Sequence, residues 1–330
     1  MPHKGFTALV PLALATVAAI GIGAAAQAAP AVQADTQLVT IDLQGDLQHT
    51  IRHADGSWQK MGSIPGYDGA IYLTSAIVNG EENILVEGAI SQGQSGLYTA
   101  RLVRHTDGTW TQHASMPAIP DQPAPMSAVN VNGQLNLVVQ SHSGPQVSVL
   151  NGDGSWSAFS AIPTEGHKLV SVAAATDGHT LRVAELLDDG LTIGVTDRTA
   201  TGWTPLNITT EGLPASQAAE KIVATQTGGL LQIATMNSPT DEPGNHYIEH
   251  GIVDGGGKWS GFAQVDLHGK DNPCDISMTT SNGAMQLAYL SGLNYELYHT
   301  IRYPDGTWQT PGNVLDVTGG HAFGAVTIAG

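Results

Sequence analysis

The sequence predicts an all-β protein, a six-bladed β-propeller of four-stranded blades whose C-terminal strand pairs into the N-terminal blade. Three observations carry this. All six tryptophans follow the same kind of segment: His53-Ala-Asp-Gly-Ser-Trp58, His105-Thr-Asp-Gly-Thr-Trp110, Asn151-Gly-Asp-Gly-Ser-Trp156, Arg198-Thr-Ala-Thr-Gly-Trp203, Asp254-Gly-Gly-Gly-Lys-Trp259 and Tyr303-Pro-Asp-Gly-Thr-Trp308. Their intervals of 52, 46, 47, 56 and 49 residues average 50, a period that belongs to propeller blades. The ends close the count, because 22 residues follow Trp308 and 23 separate Asp35 from Trp58, together 45, one more repeat interval.

Each repeat reads in order. The first strand runs into a tight turn, Asn79-Gly80, Asn132-Gly133, Asp177-Gly178, Gly228-Gly229 or Asn282-Gly283. A two-residue hairpin needs positive φ at both central positions, which these residues tolerate. The second strand alternates apolar with polar or small residues, as at Ile84, Val86 and Ile90 or at Leu135, Leu137 and Val139; that is strand periodicity. The third leads into Asp-Gly-Ser/Thr-Trp, itself a hairpin turn, and the tryptophan opens the fourth. Thr36 to Leu43 looks like a second strand with no first, and Ala322 to Ala329 like a first with no partner. Pairing the two removes an exposed edge. The one helical candidate is the short stretch Ala215 to Val223.

Lys4, the apolar stretch from about Phe6 to Ile22 and Ala26-Gln27-Ala28 read as an export signal over residues 1–28, cleaved after Ala28, with Ala34 as second choice. A short linker over 29–35 and a single propeller domain over 36–330 follow. The expected location is secreted and extracellular. No later segment reaches the roughly 18 apolar residues of a spanning helix, so no membrane insertion is expected after cleavage. With 12 basic against 29 acidic residues and a net charge of −17, a nucleic-acid partner is excluded, since phosphate needs clustered Lys and Arg. The lone Cys274 excludes an internal disulfide and reads as a small buried apolar residue rather than a nucleophile.

The segments Leu297-Tyr-His-Thr-Ile-Arg-Tyr-Pro-Asp-Gly-Thr-Trp308 and Leu47-Gln-His-Thr-Ile-Arg-His-Ala-Asp-Gly-Ser-Trp58 resemble blades of secreted bacterial propellers of the tachylectin-like type, several of which are sugar-binding lectins. The turn also resembles the sialidase Asp-box, Ser-x-Asp-x-Gly-x-Thr-Trp, with the spacer between Asp and Gly missing at Asp55-Gly56 and Asp305-Gly306. In both families the turn is structural. The resemblance therefore implies structural roles for Asp55, Trp58, Asp107, Trp110, Asp153, Trp156, Trp203, Trp259, Asp305 and Trp308: Asp bonds local amides and Trp packs between sheets.

Several residues invite chemistry, and repeat position answers most of them. His246-Tyr-Ile-Glu249-His250 matches a His-x-x-Glu-His metalloprotease pattern, but chelation at that spacing requires a helix. In a strand the two histidines stand about 13 Å apart. His250 precedes Trp259 by nine residues, as His49 precedes Trp58 and His299 precedes Trp308, so it is a third-strand repeat position. Asn151-Gly-Asp-Gly-Ser155 resembles a calcium loop but is the same turn as its sister repeats and lacks a closing Glu. No metal and no cofactor are expected. A sialidase needs an arginine cluster, yet Arg52, Arg104 and Arg302 share one repeat position, six before Trp. Glu87 and Glu185, seven residues past their turn glycines, could face the channel but read first as solvent-exposed strand ends. No Gly-x-Ser-x-Gly elbow, phosphate loop or dinucleotide fingerprint is present.

The tight turns occupy one face of the ring, so the longer connections fall on the other. That long-loop face is the binding candidate. Tyr67, Asp68, His167, His268, Asp271, Asn272 and His321 supply the aromatic and planar polar groups a sugar needs. His268, Asp271 and Asn272 also stand near Cys274, a combination that would bind zinc or carry a reactive thiol if functional. The leading expectation is a secreted carbohydrate-binding or other recognition propeller without catalysis, its partner a glycan or other extracellular ligand. The alternatives are a sialidase-like glycosidase or lyase and a protein-interaction scaffold. Near-equivalent polar clusters in several blades favour the lectin; one divergent cluster around the central channel favours catalysis.

Overall fold

The computed structural model describes residues 34–67, 69–89, 97–113, 116–120, 124–208, 213, 217–239, 245–270 and 272–330. The proposed leader, most of the linker, Asp68, Asp271 and the loop stretch 240–244 lie outside them. The protein is a ring of six antiparallel blades, a β-propeller with almost no helix. Blade 1 begins with β1 (Thr36–Ile41), β2 (Leu47–Arg52) and β3 (Gly62–Ile64). Blade 2 holds β4 (Ala70–Val78), β5 (Glu81–Ala89), β6 (Leu97–Arg104) and β7 (Trp110–His113). Blade 3 holds β8 (Met126–Val131), β9 (Gln134–Ser141), β10 (Gly144–Val149) and β11 (Ser160–Ala161). In blade 4, β12 (Leu169–Thr176), β13 (Leu181–Leu187) and β14 (Ile193–Thr199) are followed by two short partners of β14, β15 (Gly202–Trp203) and β16 (Asn207–Ile208). Blade 5 holds β17 (Gln217–Thr227), β18 (Leu230–Pro239), β19 (Tyr247–Val253) and β20 (Trp259–Gln264). Blade 6 holds β21 (Pro273–Ser281), β22 (Ala284–Ser291), β23 (Leu297–Arg302) and β24 (Gly312–Asn313), then the one-turn helix α1 (Val314–Thr318). Finally β25 (Val326–Ala329) pairs antiparallel with β1, Gln37 opposite Ala329, and completes blade 1.

The turns form as their residues dictate. Asn79 and Gly80 take φ of 53° and 82°, the all-positive pair that matches the twist of the flanking strands. In the third-to-fourth-strand turns the carboxylate accepts two bonds from the residue two positions on. Asp55 Oδ1 takes the Ser57 amide at 2.9 Å and hydroxyl at 2.6 Å, and Asp107, Asp153 and Asp305 repeat this with Thr109, Ser155 and Thr307. Those bonds hold all four carboxyls below the usual carboxylate range. Of the helical candidate Ala215 to Val223, the described residues from Gln217 on are instead the start of β17. A bulge between Ala219 and Lys221 breaks the period of two there, which imitates a helical pattern in the sequence.

Six apolar cores fill the six gaps between blades, and each receives one tryptophan from a fourth strand. Trp259 is buried and the other five are half-buried. Three of the tryptophans meet the third-strand histidine of the preceding blade edge-on. The ring pairs are His49–Trp110, His299–Trp58 and His250–Trp308, with centroids 5.3, 5.3 and 5.5 Å apart. Each histidine Nε2 lies 2.8 or 2.9 Å from a second-strand glutamine oxygen, Gln37, Gln232 or Gln286. Burial drives the His250 and His299 imidazoles down to about 3, so they are neutral packing groups. The repeated Gln–His–Trp set joins one blade to the next.

Candidate functional site

The first strands of all six blades line a central channel of about 460 Å³. An innermost strand has one unpaired edge, whose amides need acceptors. At five of the six blade junctions a Ser or Thr hydroxyl from the neighbouring first strand supplies one. The Ser75, Ala128, Ala174, Ile222 and Ile328 amides donate to Thr327, Thr74, Ser127, Ser171 and Ser277 at 2.9 to 3.3 Å. The sixth junction, between β17 and β21, departs from this. There Lys221 Nζ donates to Asp275 Oδ1, and Asp275 Oδ2 reaches the other way, accepting the Val326 amide of β25 at 2.8 Å.

That junction gathers further polar groups at the long-loop end of the channel. In four blades the first strand bulges just inside this rim, at Ile71, Val170, Glu220 and Cys274. Bulges re-aim side chains, and in blades 5 and 6 the re-aimed ones are a carboxylate and a thiol. Glu220 Oε2 lies 3.3 Å from His246 Nε2. Asn272 Oδ1 accepts the His246 amide at 3.0 Å and lies 3.2 Å from its Nδ1. Among the described residues, the charged side chains lining the channel are Glu220, Lys221 and Asp275.

The residues read from the sequence are scattered around this rim. Asn272 belongs to the cluster. Tyr67 is buried against Tyr98 in the core between blades 1 and 2, its hydroxyl pushed up to about 12 by burial, so its ring offers no open face. Packing against Tyr98 holds it inward, which a loop-length argument does not detect. His268 is exposed with Nδ1 3.6 Å from Asp266, and His167 and His321 stand exposed on other loops. Asp68 and Asp271 lie outside the described residues. Cys274 is exposed rather than a buried packing residue, and burial of its sulfur surroundings with Asp275 beside it pushes the thiol up, away from nucleophilic character. Glu87 and Glu185 are fully buried, not exposed strand ends. No group of three or more His, Cys, Asp or Glu with metal-holding geometry occurs among the described residues.

Glu220, Lys221 and Asp275 were not among the sequence candidates, and His246 entered there only through the metal pattern it shares with Glu249 and His250. One signal was available: Lys221 and Asp275 stand seven residues before their tight turns, where the sister repeats carry the uncharged Tyr72, Pro125 and Val170.

No protein-family model matches the chain, and no curated protein matches it. Solved structures do. A triple arginine-to-alanine variant of AofleA from Arthrobotrys oligospora aligns with TM-score 0.61 and 15% identity, over 90% of this chain and 89% of that one. An α-L-arabinofuranosidase from Clostridium thermocellum aligns with TM-score 0.53 and 14% identity, over 74% and 94%. The GH93 α-L-arabinofuranosidase of Fusarium graminearum, solved with arabinobiose, aligns with TM-score 0.54 and 11% identity, over 78% and 84%. These place the chain in the class of β-propellers. Two of these three carry glycosidase names. Among the described residues, no helix is long and apolar enough to cross a membrane.

Proposed function

We propose that the protein is a glycosidase whose substrate enters the channel from the long-loop face. One observation carries this reading: the charged channel side chains come from a single blade junction, whereas the other five junctions repeat a hydroxyl pattern. A lectin that used its blades equivalently would repeat its polar cluster, and a substrate cleaved in one place needs different groups for acid and for charge stabilisation. Glycoside hydrolysis requires two carboxyl groups, and Glu220 and Asp275 are the pair at this mouth. Glu220, exposed and oriented by His246, protonates the departing oxygen as the glycosidic C–O bond breaks. Asp275, fixed by Lys221 and the Val326 amide, faces the positive charge growing at the anomeric carbon. Glu220 then takes the proton of the water that adds there. The arabinofuranosidase names of two solved propellers of similar fold support the reaction class.

The test is hydrolysis of a panel of aryl glycosides by the purified protein, neutral furanosides and pyranosides beside sialosides. At least one substrate is turned over, and Glu220→Gln and Asp275→Asn each lower kcat by about 100-fold or more with the thermal melt retained. Glycans held on an array but never hydrolysed would replace this reading with recognition alone. In the proposal the leader over residues 1–28 places the activity outside the cell, and amino-terminal sequencing of the secreted preparation checks cleavage after Ala28.

A further inference from the structure

Among the described residues, eight large apolar side chains are exposed: Leu43, Ile71, Val170, Leu293, Tyr295, Tyr303, Val317 and Phe323. All except Tyr303 sit on connections or strand ends of the long-loop face. Two of them are aromatic and touch. The Tyr295 and Phe323 rings have centroids 4.8 Å apart and are 47% and 39% exposed. Their backbones are pinned while their rings face solvent. Tyr295 holds φ at 55°, an uncommon conformation for a bulky residue, with its amide on the Ser291 carbonyl at 3.0 Å. The Phe323 amide donates to Ile41 at 2.7 Å. Strain of this kind persists where the surroundings impose it, and it gathers at functional sites.

Both rings are tied to the charged cluster. Phe323 precedes Val326, whose amide holds Asp275, by three residues, at most about 10 Å of chain. The loop carrying Tyr295 begins at Gly292, whose amide donates to the Asn272 carbonyl at 2.8 Å, and Asn272 positions His246. The arginines, by contrast, are all elsewhere. Arg52, Arg104, Arg198 and Arg302 sit at the far ends of third strands, beside the tight turns. Arg101 is spent on Asn83 and Arg182 on Asp197. An acidic sugar is gripped by a bidentate arginine, and this face offers none.

We infer that Tyr295 and Phe323 form a sugar-stacking platform beside the channel mouth, and that the ligand is a neutral oligosaccharide reaching from this platform to the Glu220–Asp275 cluster. The apolar C–H face of a sugar ring packs on a flat aromatic ring, while a net charge of −17 disfavours polyanionic glycans. The cluster end of the site rests on the glycosidase reading; the platform end rests on the rings alone.

The experiment is titration of the Glu220→Gln protein with arabino-, xylo- and cello-oligosaccharides of two to six units, and with sialyllactose. Affinity for one neutral series rises about 10-fold or more with length, the contribution of one stacked ring, and sialyllactose binds more weakly. Tyr295→Ala and Phe323→Ala each erase that length dependence. Tyr295→Leu and Phe323→Leu, which keep apolar bulk without a flat ring, behave the same. Length dependence that survives these changes, tighter binding of sialyllactose, or no binding of any oligosaccharide overturns the inference. Turnover by the wild-type protein is read separately. Hydrolysis with a ring-independent affinity ends the platform and leaves the glycosidase; ring-dependent affinity without hydrolysis does the reverse.

Discussion

Glu185 is fully buried on the face of β13 that also carries Leu181 and Val183, against blade 3, and neither carboxylate oxygen has a hydrogen-bond partner among the described residues. Burial, with Glu165 as a nearby like charge, pushes its pKa up to about 8. A carboxyl raised in the folded state contributes stability that is fully present below its unfolded value of about 4.5. That contribution is lost as pH rises toward 8, because the unfolded chain releases the proton first. Glu185→Gln removes the titration. Melts of wild type and variant from pH 4 to 9 are therefore expected to diverge progressively above pH 4.5, the wild type losing roughly 2–4 kcal/mol more than the variant by pH 9. Parallel curves would show that the carboxyl is solvated in solution. Glu87, facing the other side of its blade, is raised by burial too, but its Oε2 accepts the Ala124 amide at 3.1 Å, which works against the rise.

Among the elements, the fourth strands do the joining. They are short, in three blades reduced to a bridge at the tryptophan and a few paired residues beyond it, so the indole carries much of their attachment. Trp259, 8% exposed, packs into the core between blades 4 and 5. Trp259→Ala is expected to cost about 3–5 kcal/mol, the range for a buried aromatic, measured by denaturant unfolding. A loss under about 1 kcal/mol would mean that β20 holds without it. The half-buried Trp110 against His49 belongs lower on the same scale.

At the scale of the whole molecule, β25 closes the ring. It covers the open edge of β1, donates the Val326 amide to Asp275 and accepts the Ser75 amide on the Thr327 hydroxyl. It therefore touches blades 1, 2 and 6 at once. Removing residues 322–330 exposes the β1 edge and unties Asp275. The shortened chain is expected to lose its cooperative melt and to aggregate on gel filtration, as an uncovered edge predicts. A truncated protein that melts as the full chain does would show that closure is dispensable.

Blade number, turn positions and the terminal closure were legible because they depend on local chemistry: Asn-Gly and Asp-Gly tolerate positive φ, and a tryptophan recurs wherever a fourth strand must be held. Side-chain direction was not, because it follows parity. Counting seven residues from the turn glycine makes Glu87 and Glu185 equivalent. Yet Glu87 shares a strand face with Leu85, which packs toward blade 3 from blade 2, and Glu185 shares one with Val183, which packs toward blade 3 from blade 4, so one count lands on opposite faces of the two blades. The bulges act in the same way at the rim, turning Glu220 and Cys274 outward. The cluster of Glu220, Lys221, His246, Asn272 and Asp275 draws on residues up to 55 apart in sequence, from two blades. Local sequence determined that this chain is a six-bladed ring; only the packing of blade 5 against blade 6 decided where its charge meets the channel, because no short-range rule brings two inner strands' side chains together.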